Sequence, residues 1–422
     1  MNAVLLNKPP SDTSRPLRRP FWFFLGPAFL VSVGYMDPGN WATSLEAGSR
    51  YGYALLWVVT MASGIAILMQ LLAARLGVAT EKDLAQLIAE RYSGWRAKGL
   101  LSTAALAMMA TDLAEFLGVA IALNLLFSIP LPVAIILTVF DVLLILWLER
   151  FGFRWVEMTI IAFVATIGLG YVIQMFIIQP DIVAIASNAF MPNLTITDTT
   201  ALFIALGIIG ATVMPHNIYL HTSQVLTRIQ DLNHDKARAY RLLKWDTLGA
   251  LFVAWMVNSA ILITAAAAFH AKGLMITDID QAYHTLGPLF GGAAALTFAL
   301  ALLAAGIASS TTATMAGQIV FEPLLGRKVN MARVRLGLRL LTMIPAVIAI
   351  LLAAKPLSLL VLSQVILSMQ LPFTLIPLIL LVSNRALMGD LVAPRWMLVI
   401  AWACALLIIA LNLWFLLSDF LT

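Results

Sequence analysis

The chain is 422 residues long, 61% hydrophobic and only 11% charged, with a formal charge of +5 and a mean hydropathy of +0.94. An ordinary soluble domain is roughly 25% charged, so the composition excludes one and predicts an all-α, polytopic membrane protein. A single cysteine, Cys404, and five scattered histidines exclude a disulfide framework and a cysteine or zinc-type cluster.

Residues 1–20 are polar and carry Lys8, Arg15, Arg18 and Arg19. They read as a cytoplasmic N-terminal segment ahead of a retained first span, because the apolar run that follows is long and lacks a small-residue cleavage site. Apolar runs then predict eleven transmembrane helices, near 21–47, 53–77, 99–127, 131–149, 155–178, 200–227, 244–269, 286–310, 336–353, 356–383 and 394–418. With the N-terminus cytoplasmic, all of the 26 Lys and Arg except Arg50, Lys272 and Lys355 fall on inside segments. The positive-inside rule therefore selects this topology and places the C-terminus outside. The basic excess is a topology signal. No Gly-rich phosphate loop or aromatic-basic platform for nucleic acid is present, and no nucleophile–base arrangement or cofactor motif suggests an enzyme or a prosthetic group. The connections near 78–98, 179–199, 228–243 and 270–285 are too short for a soluble domain, which fits a monomer embedded in the bilayer.

The first apolar run is interrupted at Gly34-Tyr35-Met36-Asp37-Pro38-Gly39-Asn40. Proline lacks the backbone N–H and glycine relaxes the backbone, so the helix should unwind at mid-depth. Irregular backbone is tolerated there only when buried in protein or lining a wet cavity. The freed carbonyls, the Asp37 carboxylate and the Asn40 amide oxygen are hard donors, and the C-terminal end of the first half-helix adds negative potential. The pattern predicts a cation site; the bland alternative is a kinked helix with a hydrogen-bonded aspartate.

The sixth run is interrupted in the same way, at Gly207 to Asn217, where Met214-Pro215-His216-Asn217 follows an apolar half-helix. Broken spans one and six occupy corresponding positions if residues 21–178 (spans one to five) and 200–383 (spans six to ten) are two half-repeats, with 394–418 an additional span. No residue-level repeat accompanies the breaks. Methionine in an apolar segment is usually packing. Beside a carboxylate and an amide, however, its thioether is a soft donor that suits Mn²⁺, Fe²⁺, Co²⁺ or Cd²⁺ and is useless to Mg²⁺ or Ca²⁺. The Ala211 carbonyl, one turn earlier, should be freed by Pro215. Asp112 and Glu115 share one face of span three, where two carboxylates in low dielectric hinder each other's ionisation. From the residues alone, a proton relay and a charge-paired structural face remain open.

Asp-Pro-Gly-Asn in span one and Ala-Thr-Val-Met-Pro-His-Asn-Ile-Tyr-Leu-His in span six resemble the Nramp family of divalent-metal transporters, and most of all its bacterial manganese transporters of the MntH type. The resemblance includes Ala110-Thr111-Asp112-Leu113-Ala114-Glu115-Phe116, Thr314-Met315-Ala316-Gly317-Gln318 and Leu362-Ser363-Gln364-Val365-Ile366-Leu367-Ser368. It implies a LeuT-like 5+5 inverted repeat with helices 1 and 6 unwound, in a bacterial inner membrane. It also implies proton-coupled uptake of Mn²⁺ or Fe²⁺, with Co²⁺ and Cd²⁺ accepted and H⁺ as co-substrate. By motif, Asp37, Asn40, Met214 and the Ala211 carbonyl would bind metal, with the Gly34 carbonyl and Gln364 as further contacts. Asp112, Glu115, His216 and Arg339 would serve proton movement, and Asp37 is itself a candidate acceptor.

Some positions depart from the resemblance. Ala105 stands where several bacterial relatives carry another acid, which puts a proton path through that position in doubt. Ser368-Met369-Gln370-Leu371-Pro372 replaces an expected Ser-Phe-Gly and alters one wall of the pathway. Asp141 reads as a structural hydrogen-bonder before it reads as a second relay point, and His221, His270 and His284 as local structural groups. Three rival functions remain: a Na⁺-coupled organic-solute transporter, which leaves Met214 unexplained, a passive channel or metal sensor, which would show no metal-evoked acidification, and a Mg²⁺-transporting relative, which Met214 opposes.

Overall fold

The computed structural model describes residues 27–140, 153–192, 198–232, 235–326 and 330–421. Asp141 lies outside the described residues. Among those described the secondary structure is helical, without a strand. In chain order come α1 (Pro27–Gly34), α2 (Pro38–Tyr51), α3 (Leu56–Thr80), α4 (Leu84–Arg91), α5 (Trp95–Phe127), α6 (Leu131–Leu137), α7 (Phe153–Ile178), α8 (Ile182–Phe190) and α9 (Thr199–Val213). There follow α10 (Pro215–Asp231), α11 (Lys236–Ala268), α12 (Ile279–Phe290), α13 (Gly292–Leu325), α14 (Met331–Leu351), α15 (Pro356–Ser383), α16 (Arg385–Met388) and α17 (Arg395–Leu421).

Seven described segments are long and apolar enough to cross a membrane. The sixth run, Thr199–Ile229, has 89% of its apolar window buried, against 22% for Arg395–Leu417. The broken span therefore stands in the middle of the bundle and the last helix on its rim. Around the centre, α13 packs along α5, α9 along α15, and α11 along α2 and α3, while α1 touches α10 and α2 touches α9.

Lipid gives helices no hydrophobic reason to pair, so close approach of backbones supplies the packing. At Gly118 a Cβ would occupy the space of the Pro38 ring, and at Gly210 that of the Gln364 carbonyl and the Ser368 amide. Gly118 lets α5 close onto the first break, and Gly210, just before the second, lets α15 close onto that one.

The eighth apolar run differs from expectation. Instead of one span over 286–310, a short helix α12 ends at Phe290, Gly291 turns the chain with φ 90°, and the long helix runs Gly292–Leu325. Apolar composition is continuous across the turn, so hydropathy alone could not place it. Three connections also hold short helices, each started by an aspartate whose carboxylate accepts a backbone N–H of the first turn: Asp83 for α4, Asp181 for α8 and Asp278 for α12.

Candidate functional site

The breaks lie where the prolines predict. Pro38 has no N–H to give the Gly34 carbonyl, and Pro215 none for the Ala211 carbonyl. α1 ends at Gly34, and α2 restarts at Pro38 with Asp37 as its N-cap, its Oδ1 accepting from the Asn40 amide at 2.8 Å. α9 ends at Val213, and Met214 takes φ 43°, left-handed backbone that a non-glycine residue adopts at a cost of order 1 kcal/mol.

Asn40 ties the two breaks together. Its Nδ2 donates to Asp37 Oδ1 at 3.0 Å, to the Tyr35 carbonyl at 3.0 Å and to the Ala211 carbonyl, 171 residues away, at 2.9 Å. Ala211 is thus freed from its helix as expected, but its oxygen is held by Asn40 rather than left open. A cation drawing on both groups would have to displace that hydrogen bond.

Asn217 closes the other side. Its Nδ2 donates to Met214 Sδ at 3.3 Å, and its side chain fills the space that a Cβ on Gly34 would need. Gln364 likewise packs on Gly39, and its Nε2 donates to Ser363 Oγ at 3.0 Å. Asp37, Met214 and Gln364 are completely buried and Asn40 is 2% exposed.

Three oxygens here, Asp37 Oδ2, Asn217 Oδ1 and Gln364 Oε1, are buried without a hydrogen-bond partner. Leaving a buried acceptor unsatisfied costs about 1–3 kcal/mol, more when it is charged. Carboxylate, amide oxygens and a thioether packed around one break fit a divalent transition ion. No cluster of three His, Cys, Asp or Glu exists among the described residues, so the candidate site depends on amide and sulfur donors. Asn217 was absent from the sequence-derived donor set; its position three residues after Met214 on a restarting helix was the available signal.

The proposed proton residues lie on α5, α10 and α14. Arg339, 1% exposed, donates to Asp112 Oδ1 at 2.9 Å and to Ser310 Oγ at 2.8 Å, and its guanidinium carbon lies 5.6 Å from the Phe116 ring centroid. Thr342 Oγ1 donates to Asp112 Oδ2 at 2.6 Å. The acid pair therefore includes one carboxylate that is ion-paired; Glu115, one turn on, is completely buried. His216 Nδ1 lies 3.1 Å from Thr111 Oγ1, which places it against α5, one residue from Asp112. Ser310 and Thr342 were not singled out from the sequence, because neither is near its partner in the chain.

Of the other histidines, the three that are described have local partners. His221 Nδ1 lies 2.8 Å from Gln70 Oε1, and Gln70 Nε2 donates to the Tyr35 hydroxyl at 2.7 Å. His270 Nδ1 lies 3.2 Å from the Ser49 carbonyl, and the exposed His284 lies 3.4 Å from Asp280.

Comparison with known proteins gives a consistent result. Residues 28–418 match the family profile described as "Natural resistance-associated macrophage protein-like", Nramp. The chain is 48% identical over 409 residues to the divalent metal cation transporter MntH 1 of Pseudomonas aeruginosa, covering 96% of this chain and 93% of that one. It is 44% identical over 423 residues to the Nostoc divalent metal cation transporter MntH, covering 97% and 95%. The fold superposes on the crystal structure of the Eremococcus coleocola manganese transporter with a TM-score of 0.82 and 33% identity, over 96% and 90% of the two chains. A closed nucleobase-cation-symport-1 family transporter shares the fold alone, with a TM-score of 0.58 and 14% identity.

Proposed function

The chain belongs to the Nramp family, and on that premise we propose that it imports Mn²⁺ together with protons by alternating access, accepting Fe²⁺, Co²⁺ and Cd²⁺ as well. It is a membrane transporter of divalent metal cations rather than an enzyme, as family membership and close similarity to MntH proteins establish. The observation that carries the finer reading is the donor set at the paired breaks: three partnerless oxygens and the Met214 sulfur, packed against Gly34–Asn40 and held by Asn40 and Asn217.

In this reading Asp37 supplies the anionic oxygen and Met214 the soft donor that disfavours Mg²⁺ and Ca²⁺. Asn40, the Ala211 and Gly34 carbonyls, Gln364 and Asn217 complete the shell as the cation replaces the Asn40–Ala211 hydrogen bond. Asp112, Glu115, His216 and Arg339 carry or gate the proton, with the Arg339–Asp112 pair as the charged lock of that path. Asp37 is itself a proton acceptor and links the two ions. Interruptions in α1/α2 and α9/α10, at the start of each half, support eleven spans arranged as an inverted repeat of 21–178 and 200–383, with 394–418 added. The distribution of Lys and Arg supports a cytoplasmic N-terminus, an external C-terminus and a bacterial inner membrane. A single bundle enclosing its own site supports a working monomer.

The test is uptake in proteoliposomes. Asp37→Ala abolishes Mn²⁺ uptake, and Met214→Ala raises inhibition by Ca²⁺ more than it lowers Mn²⁺ transport. Acidification of the lumen that begins only when metal is added reports proton coupling. Transport retained by Asp37→Ala, or Ca²⁺ inhibition untouched in Met214→Ala, contradicts the assignment.

A further inference from the structure

Beyond the central site, a cavity of about 340 Å³ opens where α3 gives way to α4, between α4, α10 and α13. Ser223 and Gln224 contribute from α10, nine and ten residues after Met214, so the cavity lies ~15 Å along that helix from the central sulfur. Asp83 from α4 and Glu322 from α13 face it, with the amides of Gln86, Gln224 and Gln318.

Three features mark this cavity as more than a gap. Among the described residues no lysine or arginine lines it and neither Asp83 nor Glu322 has an ion-pair partner, the nearby Lys82 and Lys236 being paired with Glu90 and Glu81. Gln224 is 9% exposed, and its side chain has no hydrogen bond among the described residues, although it is polar and lines the cavity. The wall is also held in place: the Leu84 N–H at the start of α4 donates to Thr222 Oγ1 at 3.0 Å, and Gly77 admits the Thr222 carbonyl against α3.

We propose that this cavity is a second, weaker divalent-cation site, in which Asp83 and Glu322 supply carboxylate oxygens and Gln224 and Gln318 amide oxygens. Two carboxylates and neutral oxygens make a hard donor set, so it takes Mn²⁺ and Mg²⁺ alike, in contrast to the thioether site at the breaks. On the transport reading above, it holds the ion between the central site and the water on that side of the bundle. The binding itself does not depend on that reading.

The test is Mn²⁺ binding to purified protein in detergent, with free Mn²⁺ read by electron paramagnetic resonance. Wild-type protein binds Mn²⁺ in a tight and a weak event. Asp37→Ala loses the tight event and keeps the weak one, which a tenfold excess of Mg²⁺ displaces. Adding Glu322→Gln to Asp37→Ala weakens the remaining event at least ~tenfold, because ligand charge count sets the affinity of such sites. Glu322→Gln alone keeps the tight event, which certifies its fold; if it does not, Gln224→Ala in the Asp37→Ala background carries the same prediction of weakened binding. An Asp37→Ala protein that binds no Mn²⁺, or that binds equally with and without the second substitution, overturns the proposal. Identical binding by wild type and Asp37→Ala instead overturns the central-site reading.

Discussion

Arg339→Gln offers the most quantitative perturbation. The guanidinium is 1% exposed and donates to Asp112, whose side chain is 19% exposed, so the pair is screened little by water. Removing one partner of a buried pair costs about 3–5 kcal/mol, chiefly because the other charge is left uncompensated. The partial exposure of Asp112 puts this case at the lower end, near ~3 kcal/mol. Asp112→Asn removes the anion instead and should also destabilise, with Arg339 keeping its contact to Ser310. The double variant Asp112→Asn/Arg339→Gln leaves no uncompensated Asp112 carboxylate, so it should be more stable than Arg339→Gln by ~2 kcal/mol. Equilibrium unfolding in mixed micelles, run as a double-mutant cycle at one pH, measures the coupling. Two small single effects that simply add would refute the reasoning and reduce the pair to a surface contact.

Other outcomes follow from the same geometry. Burial, followed by the charges of Glu322 and Glu90, pushes the Asp83 carboxyl from 3.8 up to about 6. A raised acid favours the fold when protonated, so its contribution is full below about pH 4 and is lost as pH rises through 6, ~3 kcal/mol in all. In chelator, Asp83→Asn, which keeps the helix cap, therefore melts above wild type at pH 7.5 and level with it near pH 4; equal melting at both pH values contradicts this. Gly210→Ala drives a Cβ into the Gln364 carbonyl and should cost about 1–3 kcal/mol and most Mn²⁺ uptake. Gly249→Ala, with nothing near its Cβ position, should stabilise α11 by up to ~1 kcal/mol and leave uptake intact. Thr222→Val removes the acceptor of the buried Leu84 N–H and should cost about 1–3 kcal/mol in thermal or denaturant unfolding.

The breaks were legible because proline acts locally: Pro38 and Pro215 remove a donor four residues downstream of Gly34 and Ala211 whatever surrounds them. Asp37 as the cap of the second half-helix comes from the structure, although an aspartate just ahead of a proline at the first helical position is an ordinary capping signal. What bridges the breaks was not legible from spacing, since Asn40 and Ala211 are 171 residues apart and Asp112 and Arg339 are joined across a still longer separation. The Arg339 role came from resemblance, and its Ser310 and Thr342 partners only from the packed bundle. The aspartates that start α4, α8 and α12 are ordinary capping signals, but they lie in short polar stretches between apolar runs, where hydropathy shows only a connection. The turn at Gly291 was hidden by apolar residues on both sides, where composition carries no boundary.

The central claim is that a carboxylate and a thioether, brought together by two interrupted helices, hold the transported ion. Crystals grown with Mn²⁺ and measured at its absorption edge test this most directly. The account predicts an anomalous peak within bonding distance of both the Asp37 carboxylate and Met214 Sδ, lost in Asp37→Ala. A strong peak remote from both breaks, or one that survives in Asp37→Ala, would contradict it.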